Sequence, residues 1–301
     1  MMILALILLL LSTPAYAQGV AVVKSAAPTS NGGTQDFTVT GFGTPVCAMF
    51  FLSYGTTNGT AVDHAMLSFG FSDFTNHRGI AHVSEDSGTT TDTMSQRATT
   101  LITLLNTDQS TDGTATASTI TDGVRLTWAD GPPSAYLVTA VMFNASMFSN
   151  CTVGTLTPNA SVDATASVSG LGWQPNLVLA AYAGSTTNAR TSFGMAINDG
   201  GVVQYSAGQA HTTALATTSP TSAMMSNRIA FNGLSLSTVA SYELTSFDSG
   251  GFTLTTRDNT TAVNDVYYLA AKLAVGASAK LATCTSPTAT GAHSCTGAGF
   301  T

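Results

Sequence analysis

The chain has 301 residues, enough for two ordinary domains. Only 8% of them are charged against 44% hydrophobic, with 28 glycines, a balance opposite to that of a disordered tail. The formal net charge of −7 leaves no basic footprint to neutralise phosphates, which excludes nucleic acid as a partner.

Residues 1–17 read as a secretory signal: an apolar run to Leu11, then Ser-Thr-Pro and the small-residue site Ala15-Tyr16-Ala17 before Gln18. The Lys or Arg that usually opens such a signal is missing, and a retained anchor is the competing reading. The run falls short of the roughly 20 residues of a membrane span. No later run reaches that length, so no span is expected after cleavage. Export places the chain outside a cell or on a virion surface and permits disulfides among Cys47, Cys151, Cys284 and Cys295. Cys284 and Cys295 flank a Pro-Thr-Ala-Thr-Gly turn and suit a bridge between neighbouring strands. Cys47–Cys151 then follows by elimination, although four cysteines allow three connectivities and buried free thiols are the alternative.

From Gln18 onward the local pattern is strand. Short runs of Val, Phe, Tyr and Thr are punctuated by Gly, Asn and Asp. The stretches 46–52, 136–143, 177–182 and 266–275 are almost continuously apolar, as in central strands covered on both faces. Val124, Leu126 and Trp128 instead alternate with Arg125 and Thr127, the period of a half-buried strand. Residues 241–247 and those after the Asp248-Ser-Gly-Gly251 turn suit a hairpin. The Ala-rich stretches 96–105 and 262–275 admit a helical turn, but their β-branched and aromatic residues favour strand.

The chain also repeats itself after about 130 residues. Met94-Ser-Gln-Arg97 returns as Met225-Ser-Asn-Arg228, and Ser68-Phe69-Gly70 as Ser192-Phe193-Gly194. The turn at Asp122-Gly123 returns at Gly250-Gly251. Pro28, Pro158 and Pro287 each precede a Gly-aromatic step, at Gly41-Phe42, Gly172-Trp173 and Gly299-Phe300. The expected organisation is a signal (1–17), one unit (18–150), a second (151–280), and 281–301 as the start of a third or a hairpin closing the second. Many short strands at close spacing make each unit an all-β antiparallel sandwich, jelly-roll or concanavalin-like. Each unit has enough apolar sequence for its own core, which favours beads on a string.

The segment Val168-Ser-Gly-Leu-Gly172-Trp173-Gln-Pro175-Asn-Leu-Val178 resembles the Gly-Leu-Gly-Phe-x-Pro-Asp-x-Val opening of a group of repeated domains. These are β-sandwich domains of phage tail-associated, environmental viral and bacterial surface proteins of undescribed function. Thr40-Gly41-Phe42-Gly43-Thr44-Pro45-Val46 carries the pattern with one extra residue, and Thr296-Gly-Ala-Gly299-Phe300 begins it again. The resemblance implies tandem sandwiches with a structural role. Its departure is the signal sequence, which phage structural proteins do not normally carry.

Chemistry-bearing residues are sparse. Asp63, His64, Asp73, His77, His82, Glu85, Asp86 and Asp92 gather in the first unit, and a metal site could be drawn from them. The second unit lacks such a cluster, with Gln204 matched to His82, which favours a solvated face. Asn106, Asp108, Ser110 and Asp112 alternate before Gly113, loosely the chemistry of a calcium loop. The loop lacks a bidentate Glu, and hairpin loops use the same residues. Arg97 and Arg228, matched by the repeat, read as anchors for backbone carbonyls, with anion or sugar binding as the alternative. Tyr54, Trp128, Tyr136 and Trp173 are the aromatics available to a lectin-like site; Trp128 falls on the apolar face and Trp173 at a sandwich edge. Asn58, Asn144, Asn150, Asn159 and Asn259 head N-glycosylation triplets.

No nucleophile elbow, zinc-protease motif or phosphate-binding loop occurs, so no catalytic residue, metal or cofactor is assigned. The expected function is a non-enzymatic secreted or surface structural or adhesion protein that self-assembles or meets a cell-surface glycan. A carbohydrate-binding tail or surface module is the alternative, and a secreted glycan hydrolase a third reading.

Overall fold

The computed structural model describes residues 19–85, 92–184, 189–211, 221–234, 237–259 and 264–281. The signal segment, Asp86, Cys284, Cys295, His293 and the proposed third repeat lie outside the described residues. The first ten strands are β1 (Val20–Ala26), β2 (Thr34–Thr38), β3 (Pro45–Leu52), β4 (Ala65–Ser72), β5 (His77–Ser84), β6 (Thr93–Ala98), β7 (Ile102–Leu105), β8 (Thr111–Ile120), β9 (Gly123–Asp130) and β10 (Leu137–Asn144). They form a six-stranded sheet, β1-β10-β3-β4-β5-β6, over a four-stranded one, β2-β9-β8-β7. The next ten are β11 (Phe148–Leu156), β12 (Thr165–Val168), β13 (Leu177–Ala183), β14 (Arg190–Asn198), β15 (Val202–Ala210), β16 (Thr221–Ser226), β17 (Ala230–Leu234), β18 (Ser237–Asp248), β19 (Gly251–Asn259) and β20 (Val266–Leu273). Adding ten to each label of the first pair of sheets reproduces the second, β11-β20-β13-β14-β15-β16 over β12-β19-β18-β17. All pairings are antiparallel, as in a β-sandwich.

The repeat is visible at atomic detail. The amide of Thr103 donates to Ser68 Oγ at 3.2 Å, and that of Phe231 to Ser192 Oγ at 3.0 Å. Two residues further on, a Cβ added at Gly70 or at Gly194 would lie 1.9 Å from the carbonyl oxygen of Leu101 or Ile229. The Ser-Phe-Gly motif is thus where the six-stranded sheet meets the chain entering the four-stranded sheet, and the close approach admits no side chain. The Gly-aromatic segments are left-handed corners, with positive φ at Gly41 and Gly43 and again at Gly170 and Gly172. Asp122 holds the first corner, its carboxylate accepting from the amides of Gly41 and Gly43.

Each sandwich fills its own core, around Phe37, Phe50, Leu126 and Trp128 in the first and Tyr182, Tyr242, Leu244 and Phe252 in the second. A third cluster crosses between them. Phe69, Phe71, Ile80 and Phe143 pack with Leu177, Leu179, Ala181 and Leu269, so the outer faces of the six-stranded sheets lie against each other. The order of layers is therefore four, six, six, four strands. This corrects the expectation of beads on a string. It also explains the uninterrupted apolar runs: along β13, Val178, Ala180 and Tyr182 face the second core, while Leu177, Leu179 and Ala181 face the other sandwich. The outer sheets have one wet face and keep the alternation, as β9 does with Val124, Leu126 and Trp128 inward.

Polar ties cross the same layer. A disulfide joins Cys47 of β3 to Cys151 of β11. Arg97 donates to the carbonyl oxygen of Asp265 at 3.2 Å and to Asn264 Oδ1 at 3.1 Å. Asp73 accepts from the Val153 amide at 2.8 Å.

Candidate functional site

Strands β3 and β10 are neighbours although most of the first sandwich separates them in sequence. Their adjoining ends place Tyr54, just after β3, beside Tyr136, just before β10, with ring centroids 5.4 Å apart. The amide of Leu137 donates to the Gly55 carbonyl at 2.8 Å and fixes this end of the pair. The Tyr54 hydroxyl donates to the Leu105 carbonyl, which binds the ring to the β7 end. Around the two rings lies an open recess of about 390 Å³, whose wall includes Asp63, His64, Asn106 and Asp112. Burial raises the Asp112 carboxyl above the ordinary range, and the negative charges of Asp130 and Asp108 push the same way. Burial likewise pushes the Tyr54 hydroxyl up, so it stays protonated. Two phenol faces beside amide, imidazole and carboxyl groups can stack on an apolar ring face and hydrogen-bond hydroxyls around it.

The recess unites residues that belonged to separate sequence patterns. Asp63 and His64 come from the acid–histidine cluster, Asn106 and Asp112 from the calcium-like loop, and the two tyrosines from the aromatics. Only the sheet order brings them together. The second sandwich has no such pair: by strand register Tyr54 corresponds to Gly184 and Tyr136 to Asn264.

In the loop of Asn106, Asp108, Ser110 and Asp112, Asn106 Oδ1 accepts from the amide of Ser110 at 2.9 Å and from its hydroxyl at 3.1 Å, shaping a hairpin. Among the described residues no three His, Cys, Asp or Glu side chains converge as a metal site. Asp73 caps its own turn by accepting from the Thr75 and Asn76 amides, and His77 Nδ1 lies 2.9 Å from Ser72 Oγ. His82 instead faces the other sandwich, its ring centroid 4.8 Å from that of His211.

Arg97 and Arg228 are not structural counterparts. Gly79 pairs with Gly70 and Ala98, while Ser206 pairs with Gly194 and Met225. Ala98 therefore matches Met225 and Arg97 matches the exposed Met224; the Met-Ser-x-Arg similarity is out of register by four residues, 228 against 224. The same registers match His82 to Gln209 and His77 to Gln204. Arg228 follows β16, donating to Ser241 Oγ at 2.9 Å and to the Asn227 carbonyl at 2.8 Å.

Asn144 cannot carry a glycan in the folded chain, because it is buried and its amide donates to the Phe42 carbonyl at 2.7 Å. Asn58, Asn150 and Asn159 are exposed. Asn259 ends β19, and its side chain lies outside the described residues. Trp128 is fully buried and Trp173 packs at the margin of the second core.

No family model matches the chain, and no curated protein matches it. The class rests on the fold: an all-β protein of antiparallel sandwiches packed sheet to sheet.

Proposed function

We propose that the chain is a non-enzymatic structural or adhesion module, exported by its N-terminal signal to an extracellular or virion surface. The observation that carries this reading is the apolar layer between the sandwiches, reinforced by the Cys47–Cys151 disulfide and the Arg97 contacts. Independent domains joined by a linker would hinge; a layer of this kind fixes their relative orientation, as a spacer requires. The disulfide suits an oxidising compartment. The test is electron microscopy of the purified chain combined with assays on polysaccharides. Ordered end-to-end assembly with background turnover is expected. Turnover that Asp112→Asn abolishes would overturn the reading.

The Tyr54–Tyr136 recess favours a second reading, glycan recognition. In that case a glycan array gives reproducible binding that Tyr136→Ala removes while the melting temperature is retained.

A further inference from the structure

The two six-stranded sheets do not close completely. A cleft of about 300 Å³ remains between them, walled by Phe51, Leu67, Phe69 and Ile80 from the first sandwich and by Phe193 and Ala207 from the second. The small, exposed side chain of Ala207 on β15 leaves room in this wall. A second recess of about 320 Å³ shares Leu67 and Gln209 with this cleft and has His82 in its wall. No Asp, Glu, Lys or Arg lines either space.

His82 is the feature that asks for a ligand. Its side chain is buried, with the residue only 1% exposed, and neither ring nitrogen has a hydrogen-bond partner among the described residues. An unpartnered buried polar group costs about 1–3 kcal/mol, and native interiors keep few of them. A neutral imidazole offers one N–H and one lone pair. A hydroxyl can answer either one, accepting from the N–H or donating to the lone pair, without bringing a charge. A carboxylate or ammonium would find no opposite charge in these walls and would be desolvated without return.

We propose that the cleft between the sandwiches binds a small neutral molecule with an apolar, preferably aromatic, body and one hydroxyl, the body among the phenylalanines and the hydroxyl on His82. The volume lies at the lower end of small-ligand pockets, which suits a compact two-ring molecule. The His82 end of this site adjoins the Tyr54–Tyr136 recess through Tyr54, Val62 and His64, and the site does not depend on the proposed structural role.

The experiment titrates 2-naphthol and naphthalene into the disulfide-intact chain, following probe fluorescence and the ¹⁵N resonances of the histidine side chains. The expected result is saturable binding of both, 2-naphthol tighter by about tenfold or more, with the His82 resonances shifted by 2-naphthol alone. His82→Phe should abolish the preference and leave naphthalene affinity unchanged. Ala207→Leu, at an exposed wall position, should fill the cleft and weaken both ligands, which keeps the test decisive if the first variant folds poorly. Absence of saturable binding, or a hydroxyl preference that moves no His82 resonance, would overturn the proposal.

Discussion

At the scale of single residues, the sandwich interface stores a pH dependence. Burial holds the His82 imidazole down to about 3, with the neighbouring His211 ring adding to the effect, and burial lowers His211 as well. In the unfolded chain both would take up a proton near the ordinary histidine value of about 6.5. Between those values the unfolded state binds more protons, so stability is full above about pH 6.5 and is lost as pH falls toward 3. The span for His82 corresponds to on the order of 5 kcal/mol. Urea midpoints should therefore fall between pH 6.5 and about 4.5, and His82→Phe should flatten most of that slope while changing little at pH 7. A variant as steep as the parent would place the acid sensitivity elsewhere. None of this was legible from sequence, where His82 sat among acids and looked solvated. The decisive facts are that it lies on the outer face of β5 and that a second sheet covers that face.

At the scale of elements, much was legible. Strand character, the β18–β19 hairpin and the two-sided burial of β3, β10, β13 and β20 all follow from composition and period. The Ser-Phe-Gly match also marks true counterparts, and its glycines define a prediction. Gly70→Ala and Gly194→Ala should each cost about 3 kcal/mol or more in denaturant unfolding, because the new methyl overlaps a backbone carbonyl that cannot swing aside. Gly201→Ala, where a Cβ meets nothing within 4 Å, should stay within about 0.5 kcal/mol. Equal effects at all three positions would refute the packing argument. Where sequence matching slipped, at Arg97 and Arg228, the reason is physical. The edge strands β6 and β16 carry few inward anchors, so chance similarity outweighs register there. The cores add a second source of drift: Trp128 on β9 faces Ala115 on β8, whereas in the second sandwich Tyr242 on β18 faces Thr256 on β19. The large side chain has changed strands while the shared volume is kept, and the bulge beside it is retained, between Thr114 and Ala115 and between Ser241 and Tyr242.

At the scale of the whole molecule, the question is whether two sandwiches behave as one. Each has a core large enough to fold alone, so sequence favoured independence. The apolar runs that are hydrophobic on both faces were the sign to the contrary, since a two-layer bead has no second dry face to offer them. The face-to-face layer buries Phe71 completely, edge-on to Phe69 and within 6.4 Å of the Phe193 ring centroid of the other sandwich. Exposing such a layer costs enough to make separate melting unfavourable, so calorimetry of the intact chain should show a single transition with matching calorimetric and van't Hoff enthalpies. The disulfide acts differently. Cys47 and Cys151 are 104 residues apart, and closing so long a loop mainly restricts the unfolded chain. Replacing both by Ala should therefore lower stability by about 2–5 kcal/mol and still leave one transition. Phe71→Asp should do the reverse, splitting the melt into two transitions by placing an unpaired charge between the sheets while each inner core keeps its packing. One transition for Phe71→Asp would mean that the sandwiches are coupled by the covalent bridge and not by the layer between them, and two for the parent would mean that they are not coupled at all.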